Sequence, residues 1–523
     1  TRLKAMKVGL TSIYSFRPHV EHMAYLADEL EKAKIETSFL SCDSSVSTCY
    51  AKELKGDDGV LACAKCMLGG IRTYRMNSIF SIKKDYAVSL PPERVWSLIK
   101  SSVCTINRFE IEEDFSNLDI DKEINKYKDT IETVYGSTLR WIKEKNLDVV
   151  ICFNGRMDLT AAIMEACRDV GCRFISQERT WFSHGIQLNY EENCLSLREV
   201  NVLNQKYQDL PLTKKQAEEA LSLIASRFGV GINTEWRVYN QNSTPGSFVN
   251  FKKNLKKVLV LPSSHNEFYG HPDWNSSWES YVEGFDWAIK ELGVPPENVL
   301  VRCHPNWGEY IGKNTGKYAE EVYTKWSLDN KYGLLRSNER ANTLDLIKEC
   351  DVLLVNGSSA AIEAGIFGKL VICIGHSVYE KAGISISLDR KPIEGLNSLI
   401  ESFNLGQVRQ KTLRHLYTMS ARFPFLSFDV VAESSVKYHY RKNADFSKVI
   451  YFLKTGEVVS NDEEFADSPS GEIEVLDSFI KGQFQANDLI RKNIDKDHFY
   501  RVKRMLFFRW VDFVRNLLPR GDR

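Results

Sequence analysis

The chain has 523 residues, more than one ordinary hydrophobic core holds, which predicts two domains with additional elements. Hydrophobic residues at 43% and charged residues at 26% exclude a disordered or fibrous protein. Basic and acidic residues each number 69, so no net charge favours nucleic acid as a partner. No apolar stretch approaches the ~18 residues of a membrane span, and we expect a cytoplasmic protein.

The first half of the chain alternates predicted strands and helices. Apolar runs predict strands at 7–11, 35–40, 147–153 and 172–176, and helical periodicity predicts helices at 19–32, 121–146 and 158–170. This alternation is typical of a parallel sheet covered on both faces. The polar segment 240–254, rich in Asn, Ser, Pro and Gly, is the best linker candidate, so we predict a first domain at residues 1–245.

A second series of the same kind follows the linker. Predicted strands lie at 258–261, 298–303, 333–336, 351–355 and 370–374, and predicted helices at 277–292, 342–350 and 360–367. This predicts a second domain at 246–403 and a mainly helical region at 404–523. Two parallel sheets in tandem predict a cleft bordered by the loops at the carboxyl ends of their strands.

Polar residues follow two buried strands of the second domain. His304 and Pro305 end one strand, and Asn356-Gly357-Ser358-Ser359 end another, with Glu363 in the helix that follows. A histidine oriented by proline can donate a hydrogen bond to phosphate, and serines opening a helix present free N–H groups to an anion. These stretches predict a phosphate or pyrophosphate seat; the alternative is a strand that simply ends and an ordinary helix cap.

The loop 262–274 is dense in polar and aromatic side chains. A loop of this length at the cleft favours ligand binding over mere chain reversal, although a solvated loop is the alternative. We assign His265 to the donor side of the predicted cleft. Sugar transfer passes through a cationic state, so carboxylates are expected, and Glu267 and Asp273 supply them here.

Two polar strand ends of the first domain lie on the opposite side of the predicted cleft. Asn154 and Arg156 follow one strand, and Glu178 and Arg179 follow the next. Glu178 is the candidate to accept a proton from an acceptor hydroxyl, with Asp273 as nucleophile or cation stabiliser. Either arginine can pair with a sugar carboxylate in a bidentate way; the alternative is an internal ion pair that braces the loop.

The motifs together resemble those of a known group of enzymes. His304-Pro305 and Ser358-Ser359, with Glu363 and the Gly-Lys-Leu-Val-Ile strand after them, resemble the HP and SS motifs of bacterial sialyltransferases and capsule-synthesis Kdo transferases. Asn154-Gly155-Arg156 and Gln177-Glu178-Arg179 are similar to the latter group. The CDP-glycerol polymerases of teichoic acid synthesis are similar in the same region as the HP and SS motifs.

The resemblance implies an α/β fold of the GT-B type, with two Rossmann-like domains facing across a cleft. It also implies a CMP-activated acidic sugar as donor and no catalytic metal or cofactor. The expected function is transfer of Kdo or a related sugar to a glycan or lipid-linked glycan acceptor in capsule or lipopolysaccharide synthesis. Two alternatives remain, a nucleotide-sugar epimerase of the same architecture and a non-catalytic protein of polysaccharide binding or export.

Four cysteines stand apart from those inside apolar runs. Cys42, Cys49, Cys63 and Cys66 could hold a structural zinc ion, but the first pair lacks the compact spacing of strong zinc motifs. Ordinary reduced thiols are the alternative.

The end of the chain predicts an amphipathic helix over 499–518. Its basic and acidic residues Arg501, Arg504, Asp512 and Arg515 fall near one helical face, and the rest is largely aromatic or aliphatic. Such a helix can lie at the inner face of the cytoplasmic membrane, or it can pack across the two domains.

Overall fold

The computed structural model describes residues 6–56, 59–110, 112–182, 184–228, 251–252, 254–310, 314–485 and 497–517. Residues 240–250 of the predicted linker lie outside the described residues. The strands are β1 (Lys7–Ser12), β2 (Glu36–Ser41), β3 (Ile79–Ser81), β4 (Val149–Phe153), β5 (Arg173–Arg179), β6 (Ile186–Tyr190), β7 (Val258–Leu261), β8 (Val299–Arg302), β9 (Gly333–Leu335), β10 (Val352–Val355), β11 (Leu370–Ile374), β12 (Ile386–Leu388), β13 (Val430–Ser434), β14 (Lys437–Arg441) and β15 (Phe499–Tyr500).

The helices of the first half are α1 (His19–Lys32), α2 (Tyr50–Lys55), α3 (Gly59–Gly69), α4 (Pro92–Asn107), α5 (Ile120–Lys145), α6 (Asp158–Asp169), α7 (Arg198–Tyr207) and α8 (Lys214–Phe228). Those of the second half are α9 (Tyr281–Leu292), α10 (Lys317–Asp329), α11 (Thr343–Glu349), α12 (Ala360–Ile366), α13 (Leu396–Ser402), α14 (Val408–Tyr417), α15 (Ser447–Thr455), α16 (Ser470–Ile480) and α17 (Arg509–Leu517).

Two six-stranded sheets share one strand order. The first runs β3-β2-β1-β4-β5-β6, with β6 alone antiparallel to its neighbour, and the second runs β12-β11-β10-β7-β8-β9, all parallel. In each sheet the order reverses between the first and fourth strands, which is the Rossmann pattern. The predicted α/β architecture with two Rossmann-like domains is therefore confirmed.

The second sheet shows why its strands read as continuous apolar runs. Val258 and Val260 of β7 pack on one face, in the same cluster as residues of α9, α10 and α13. Leu259 and Leu261 pack on the other face, in the same cluster as residues of α7, α8, α12, α14 and α16. Because both faces of the sheet are covered by helices, every side chain of the strand is buried and no polar alternation appears.

Two helices of the predicted first domain pack against the second sheet. Helices α7 and α8 contribute Val200, Leu203 and Leu221 to the core of the second sheet, although they precede residue 245. These two helices therefore pack with the second sheet, although the predicted first domain of 1–245 includes them. The boundary was predicted in the polar segment near 245 from composition alone. The two helices pack with the second sheet because their apolar faces are buried there.

The region 404–523 contains helices α14 to α17 and, in addition, strands that were not predicted. It contains an antiparallel sheet in the order β13-β14-β15, and its residues between Phe425 and Leu453 complete the core of the first domain. Strand β13 alternates buried Val430 and Ala432 with more exposed neighbours, a pattern typical of a half-buried antiparallel strand.

The helix predicted over 499–518 is wrong for its first half. Residues 499–500 form β15, and the α-helix begins only at Arg509. Arg504, predicted near one face of this helix, is buried, and its Nη1 donates to the carbonyl oxygen of Leu68 over 2.7 Å and to Thr73 Oγ1. This buried arginine, rather than helical periodicity, fixes the backbone of the segment. Among the described residues, no helix is long and apolar enough to cross a membrane.

Candidate active site at the cleft between the two sheets

Glu178 lies at the carboxyl end of β5 and is held from two sides. Asn154, which follows β4, donates from Nδ2 to Glu178 Oε2 over 2.7 Å. The Nε2 of His19, the first residue of α1, lies 3.3 Å from Glu178 Oε1. The structure thus brings together the predicted pair Asn154 and Glu178 and adds a histidine that strand-end patterns did not reveal.

His19 is a neutral partner for this carboxylate at ordinary pH. Burial lowers its pKa, against the opposing effect of Glu178. Its Nδ1 lies 3.3 Å from Oε1 of Gln177, which orients the ring. In a Rossmann sheet, the loop between the first strand and the first helix borders the switch point where ligands bind. His19 follows such a loop, so this rule could have identified it from the sequence.

Arg156 is buried behind the same strand ends. Its Nη1 donates to Ser101 Oγ over 3.1 Å and to Thr105 Oγ1 over 2.9 Å, both on α4. Its Nη2 lies 3.8 Å from Oε2 of Glu267, which comes from the second domain. Burial acts to lower the pKa of Arg156, but the carboxylates, Glu267 first among them, hold that pKa above its usual value. A buried, permanently charged guanidinium therefore meets a carboxylate across the cleft.

Arg179 and Cys194 border the same group. The backbone N–H of Arg179 donates to Glu178 Oε1 over 2.8 Å, and its positive charge contributes to lowering the pKa of His19, after burial. Cys194 is also close, because the charges of Glu178 and Arg156 both act on its thiol, whose pKa is raised chiefly by burial. Of the two predicted arginines, Arg156 is the one shown in contact with a carboxylate across the cleft.

On the opposite side, Asn356 lies at the switch point of the second sheet. Its Oδ1 accepts from the backbone N–H of Ser263, which links the chain after β10 to the chain after β7 over 2.6 Å. Its side chain is 1% exposed, and among the described residues its Nδ2 has no hydrogen-bond partner. Gly357 follows with φ of +91°, a conformation in which glycine is unstrained. The turn therefore presents a buried amide donor beside a tight backbone bend.

His265 forms a hydrogen bond to the backbone of this turn. Its Nε2 lies 2.6 Å from the carbonyl oxygen of Asn356, and its Nδ1 lies 3.3 Å from the hydroxyl of Tyr281. Burial lowers the pKa of His265 to about 4, so the ring is neutral, with Nε2 donating to the carbonyl and Nδ1 accepting from the tyrosine. Both ring nitrogens are occupied, which fits positioning of the turn better than direct contact with a ligand.

The two predicted serines open α12 next to this turn. Ser358 Oγ accepts from the backbone N–H of Ala360 over 3.3 Å, and the carbonyl oxygen of Ser358 accepts from Tyr379 over 3.0 Å. Ser358 and Ser359 are half-buried and Glu363 is buried within α12. The predicted residues after β10 therefore form one contiguous turn and helix start.

His304 and Pro305 follow β8 and begin a short 3₁₀ turn. His304 Nδ1 accepts from the backbone N–H of Asn306 over 3.1 Å. Arg108, just beyond α4 of the first domain, donates from Nη2 to Asn306 Oδ1 over 2.7 Å and to its carbonyl oxygen over 3.2 Å. The loop after β8 is thus attached to the first domain by an arginine that follows a helix and not a strand.

Glu110 forms a second bridge between the domains. Its Oε1 accepts from Ser264 Oγ over 2.6 Å and from Trp307 Nε1 over 3.2 Å. Burial raises the pKa of Glu110, although these bonds oppose the rise. Together with Arg108, it fixes the loops after β7 and β8 relative to the first domain.

Asp273 lies where the two domains meet. Its Oδ2 accepts from Ser196 Oγ over 3.1 Å and from the backbone N–H of Leu197 over 2.8 Å, at the start of α7. These bonds attach the loop after β7 to the segment that leads into α7. Its predicted part in chemistry remains a prediction beside this tethering role.

The four cysteines considered as zinc ligands all line one cavity. Cys42, Cys49, Cys63 and Cys66 surround it together with residues of the β1 and β2 carboxyl ends. All are free thiols, and the described residues contain no group of three or more ligating side chains placed to hold a metal ion. Reduced thiols are the interpretation that this geometry favours.

Comparison with known proteins gives no protein-family match and no match among curated proteins. Among solved structures, the chain is similar to the β-Kdo 2,4 transferase of Thermosulfurimonas dismutans KpsC, at 18% identity and a TM-score of 0.34, over 59% of this chain and 87% of that one. The β-Kdo 2,7 transferase of the same protein gives 13% identity and a TM-score of 0.31, over 66% and 89%. A UDP-GlcNAc 2-epimerase of Methanocaldococcus jannaschii gives 11% and 0.28, over 79% and 99%. What the structure itself shows is two sheets of Rossmann order in one chain.

Proposed function

We propose that the protein is a metal-independent glycosyltransferase of bacterial surface polysaccharide synthesis. It transfers Kdo or a related acidic sugar from a CMP-linked donor to a glycan acceptor. The observation that carries the proposal is that Glu178 and Arg156 lie close together and are linked to the turn after β10 by one loop: its Glu267 approaches Arg156, and its Ser263 donates to Asn356. The first pair suits an acceptor hydroxyl and a sugar carboxylate, and the turn suits a nucleotide phosphate.

The phosphate of the donor lies against the turn after β10. Asn356 supplies a buried Nδ2 donor, and Ser358 and Ser359 supply hydroxyls at the start of α12. His304 approaches from the end of β8, which is separated from β10 by β7 in the same sheet. Ligands of open α/β sheets bind at the switch point, and the order of the second sheet reverses between β7 and β10.

The acidic group of the sugar pairs with Arg156. Without substrate, Glu267 is the carboxylate nearest to its Nη2, at a distance longer than a direct hydrogen bond. A sugar carboxylate at this position accepts two parallel hydrogen bonds from the guanidinium and displaces Glu267. The hydroxyls of Ser101 and Thr105 hold the guanidinium in place for it.

Glu178 acts as the base for the acceptor hydroxyl. The acceptor oxygen forms a bond to the anomeric carbon, the bond from that carbon to the phosphate oxygen breaks, and the nucleotide leaves with the electron pair. The hydroxyl proton passes to Glu178 and then to solvent. Asn154 and His19 hold the carboxylate in position, and Asp273 stabilises the cationic sugar from the second domain.

The test is incubation of the protein with CMP-Kdo and other CMP-, CDP- and UDP-linked sugars, followed by chromatography of the products. The proposal expects slow hydrolysis of a CMP-linked acidic sugar without acceptor, and no conversion of UDP-linked neutral sugars. Isomerisation of a UDP sugar would indicate an epimerase, and an intact donor in every case would indicate a binding protein.

We also propose that the enzyme works at the inner face of the cytoplasmic membrane on an acceptor whose glycan is carried by a lipid. Exposed Phe507, Trp510 and Phe513 near the end of the chain support this location, because aromatic side chains in a basic segment favour the membrane interface.

A further inference from the structure

Helix α3 exposes a stripe of apolar side chains. Its apolar residues Val60, Leu61, Ala64, Met67 and Leu68 recur at helical spacing and are all exposed. Val60 is 79% exposed and Leu61 52%. In an ordinary surface helix such a stripe packs on the core and the opposite side faces water.

The inner side of α3 faces a cavity of the first domain. Ala62, Cys63 and Cys66 line a cavity with Phe16, which follows β1, and Cys42, which follows β2. The helix therefore covers the carboxyl ends of these two strands, and its outer stripe has no described element packed over it. The same strand ends border the cleft on the acceptor side.

Helix α17 also exposes apolar side chains. Trp510, Phe513 and Val514 are exposed, whereas Val511 is buried and Asp512 is bound to Arg17 Nη2 over 2.7 Å. The ion pair and the bonds of the preceding segment thus turn the polar side of α17 toward the protein. Leu506 and Phe507, just before the helix, are 77% and 80% exposed.

The segment that leads into α17 is bonded to the end of α3. Arg504 Nη1 donates to the carbonyl oxygen of Leu68 over 2.7 Å, and the backbone N–H of Met505 donates to Thr73 over 2.9 Å. The chain therefore passes the end of α3 immediately before it exposes Leu506 and Phe507. A helix rises 1.5 Å per residue, so the stripe on α3 extends this surface by about 10 Å.

The charges around the stripes are mostly basic. Arg501, Lys503 and Arg509 are exposed along the C-terminal segment, and Lys55 and Lys65 are exposed along α2 and α3. The acidic side chains on the described parts of the same elements are paired. Asp512 binds Arg17, and Glu53 binds Lys126 over 2.6 Å. Asp57 and Asp58 lie outside the described residues.

We infer that the exposed stripes of α3 and α17 form one docking face for a bilayer of anionic lipids. The apolar side chains enter the interface, and the surrounding lysines and arginines meet the headgroup charge. This inference extends the proposed location at the membrane by adding α3, and it brings the acceptor edge of the cleft to the lipid surface. It does not depend on which sugar is transferred.

The experiment is co-sedimentation of the full chain with vesicles of equal parts phosphatidylglycerol and phosphatidylcholine, at low and high salt. One variant carries Val60→Ser with Leu61→Ser, a second Phe507→Ser with Trp510→Ser, and the matched control Leu328→Ser with Ile393→Ser, also exposed apolar residues. We expect each of the first two to lower partitioning roughly ten-fold or more, and the control to bind like the unaltered protein.

A second set of variants tests the contribution of the basic side chains to vesicle binding. Replacing Arg501 and Lys503 by glutamine is expected to lower binding at low salt by roughly five-fold per charge and to leave binding at high salt nearly unchanged. All variants are expected to keep the melting temperature of the unaltered protein, since the altered side chains are exposed.

Three results would overturn the inference. One is no binding of the full chain to anionic vesicles at low salt. Another is unchanged binding of the α3 variant. The third is a dimer in sedimentation velocity that both face variants abolish, without vesicle binding, which would show that the face joins two copies of the chain. Donor hydrolysis in solution, measured on the same samples, reports separately on the proposed function.

Discussion

Arg108 of the first domain donates two hydrogen bonds to Asn306 of the second, one to its side-chain oxygen at 2.7 Å and one to its carbonyl oxygen at 3.2 Å. Asn306 follows His304 and Pro305, so this contact connects the predicted donor loop directly to the acceptor domain. Glu110 adds a second connection through Ser264 and Trp307. The relative position of the two cleft edges is therefore fixed by a few buried polar residues.

Replacing Arg108 by methionine keeps its buried stem and removes the guanidinium. Loss of charge-assisted hydrogen bonds costs roughly 1.5–3 kcal/mol, so we expect nucleotide affinity to fall at least ten-fold and the cleft to open. Calorimetry measures the first change, and the radius of gyration from X-ray scattering measures the second. Arg140→Met, on an exposed ion pair with Glu144, is the control. Unchanged affinity and shape would show that the contact does not hold the cleft.

The proposed base is tested by Glu178→Gln. Gln retains an oxygen for Asn154 but cannot accept a proton, so we expect turnover to fall by about 100-fold or more while donor affinity is retained. Glu165→Gln, in an ion pair on α6, is the control. A near-normal rate for the Glu178 variant would remove this residue from the mechanism.

Asp273→Asn separates chemistry from tethering. A part in stabilising the cationic sugar predicts a loss of turnover of similar size with an unchanged melting temperature. A tether through Ser196 and Leu197 predicts instead a lower melting temperature with a small kinetic effect. Measuring both quantities on the same protein distinguishes the two roles, and the second pattern would exclude Asp273 from catalysis.

The donor seat is tested by His304→Ala and Ser359→Ala. Each removes a hydrogen bond to phosphate, and we expect nucleotide affinity to fall by roughly ten-fold to 100-fold without unfolding. Asn356→Asp is the sharper variant, because it keeps the acceptor for Ser263 and replaces the buried Nδ2 donor with negative charge. Titration calorimetry with CMP gives the affinities; normal values for all three variants would locate the seat elsewhere.

Arg156 and Glu267 are expected to act in opposite directions. Arg156→Met removes the partner of a sugar carboxylate and should weaken binding of an acidic donor more than binding of CMP alone. Glu267→Gln removes the competing carboxylate and should strengthen binding of the acidic donor. Calorimetry with both ligands measures the difference. Equal effects of the arginine variant on the two ligands would contradict recognition of a sugar carboxylate.

The buried carboxyl group of Asp158 is expected to make the free energy of unfolding depend on pH. Burial raises its pKa from 3.8 to about 6, against hydrogen bonds from Tyr14 and from the N–H groups of Tyr50 and Leu159. The folded state holds the proton more tightly than the unfolded state, so this group's contribution is complete below pH ~4 and is lost as pH rises to ~6. A change of this size corresponds to roughly 3 kcal/mol.

Denaturant unfolding at several pH values between 4 and 7 measures this slope. We expect Asp158→Asn to be less stable overall, because its amide group cannot accept from all of these donors, and to lack the slope. The same slope in the variant would assign the titration to another group.

Much of the fold follows from local patterns in the sequence. The apolar run predicted at 258–261 coincides with β7, and the helix predicted at 158–170 corresponds to α6. Short edge strands such as β3 carry only three residues, too few for a periodic signal. The boundary predicted near residue 245 did not separate α7 and α8 from the first sheet, because their packing in the second core depends on tertiary contacts.

The same limit applies to the site. Asn154, Glu178 and Asn356 were identified because they follow strands, where parallel sheets bind ligands. Arg108 follows a helix instead, and its partner Asn306 is almost 200 residues away, so only the folded structure relates them. Arg504 showed a helical spacing in the sequence, but its buried hydrogen bonds to the chain near α3 set its conformation.

The first domain takes part of its core from residues between Phe425 and Leu453. During synthesis these residues leave the ribosome on the order of tens of seconds after β6 has emerged, since translation adds about 5–20 residues per second. The first domain therefore cannot complete its core until the second has been made. We expect chains stopped near residue 404 to expose apolar surface and to need chaperones, although both sheets are present in them.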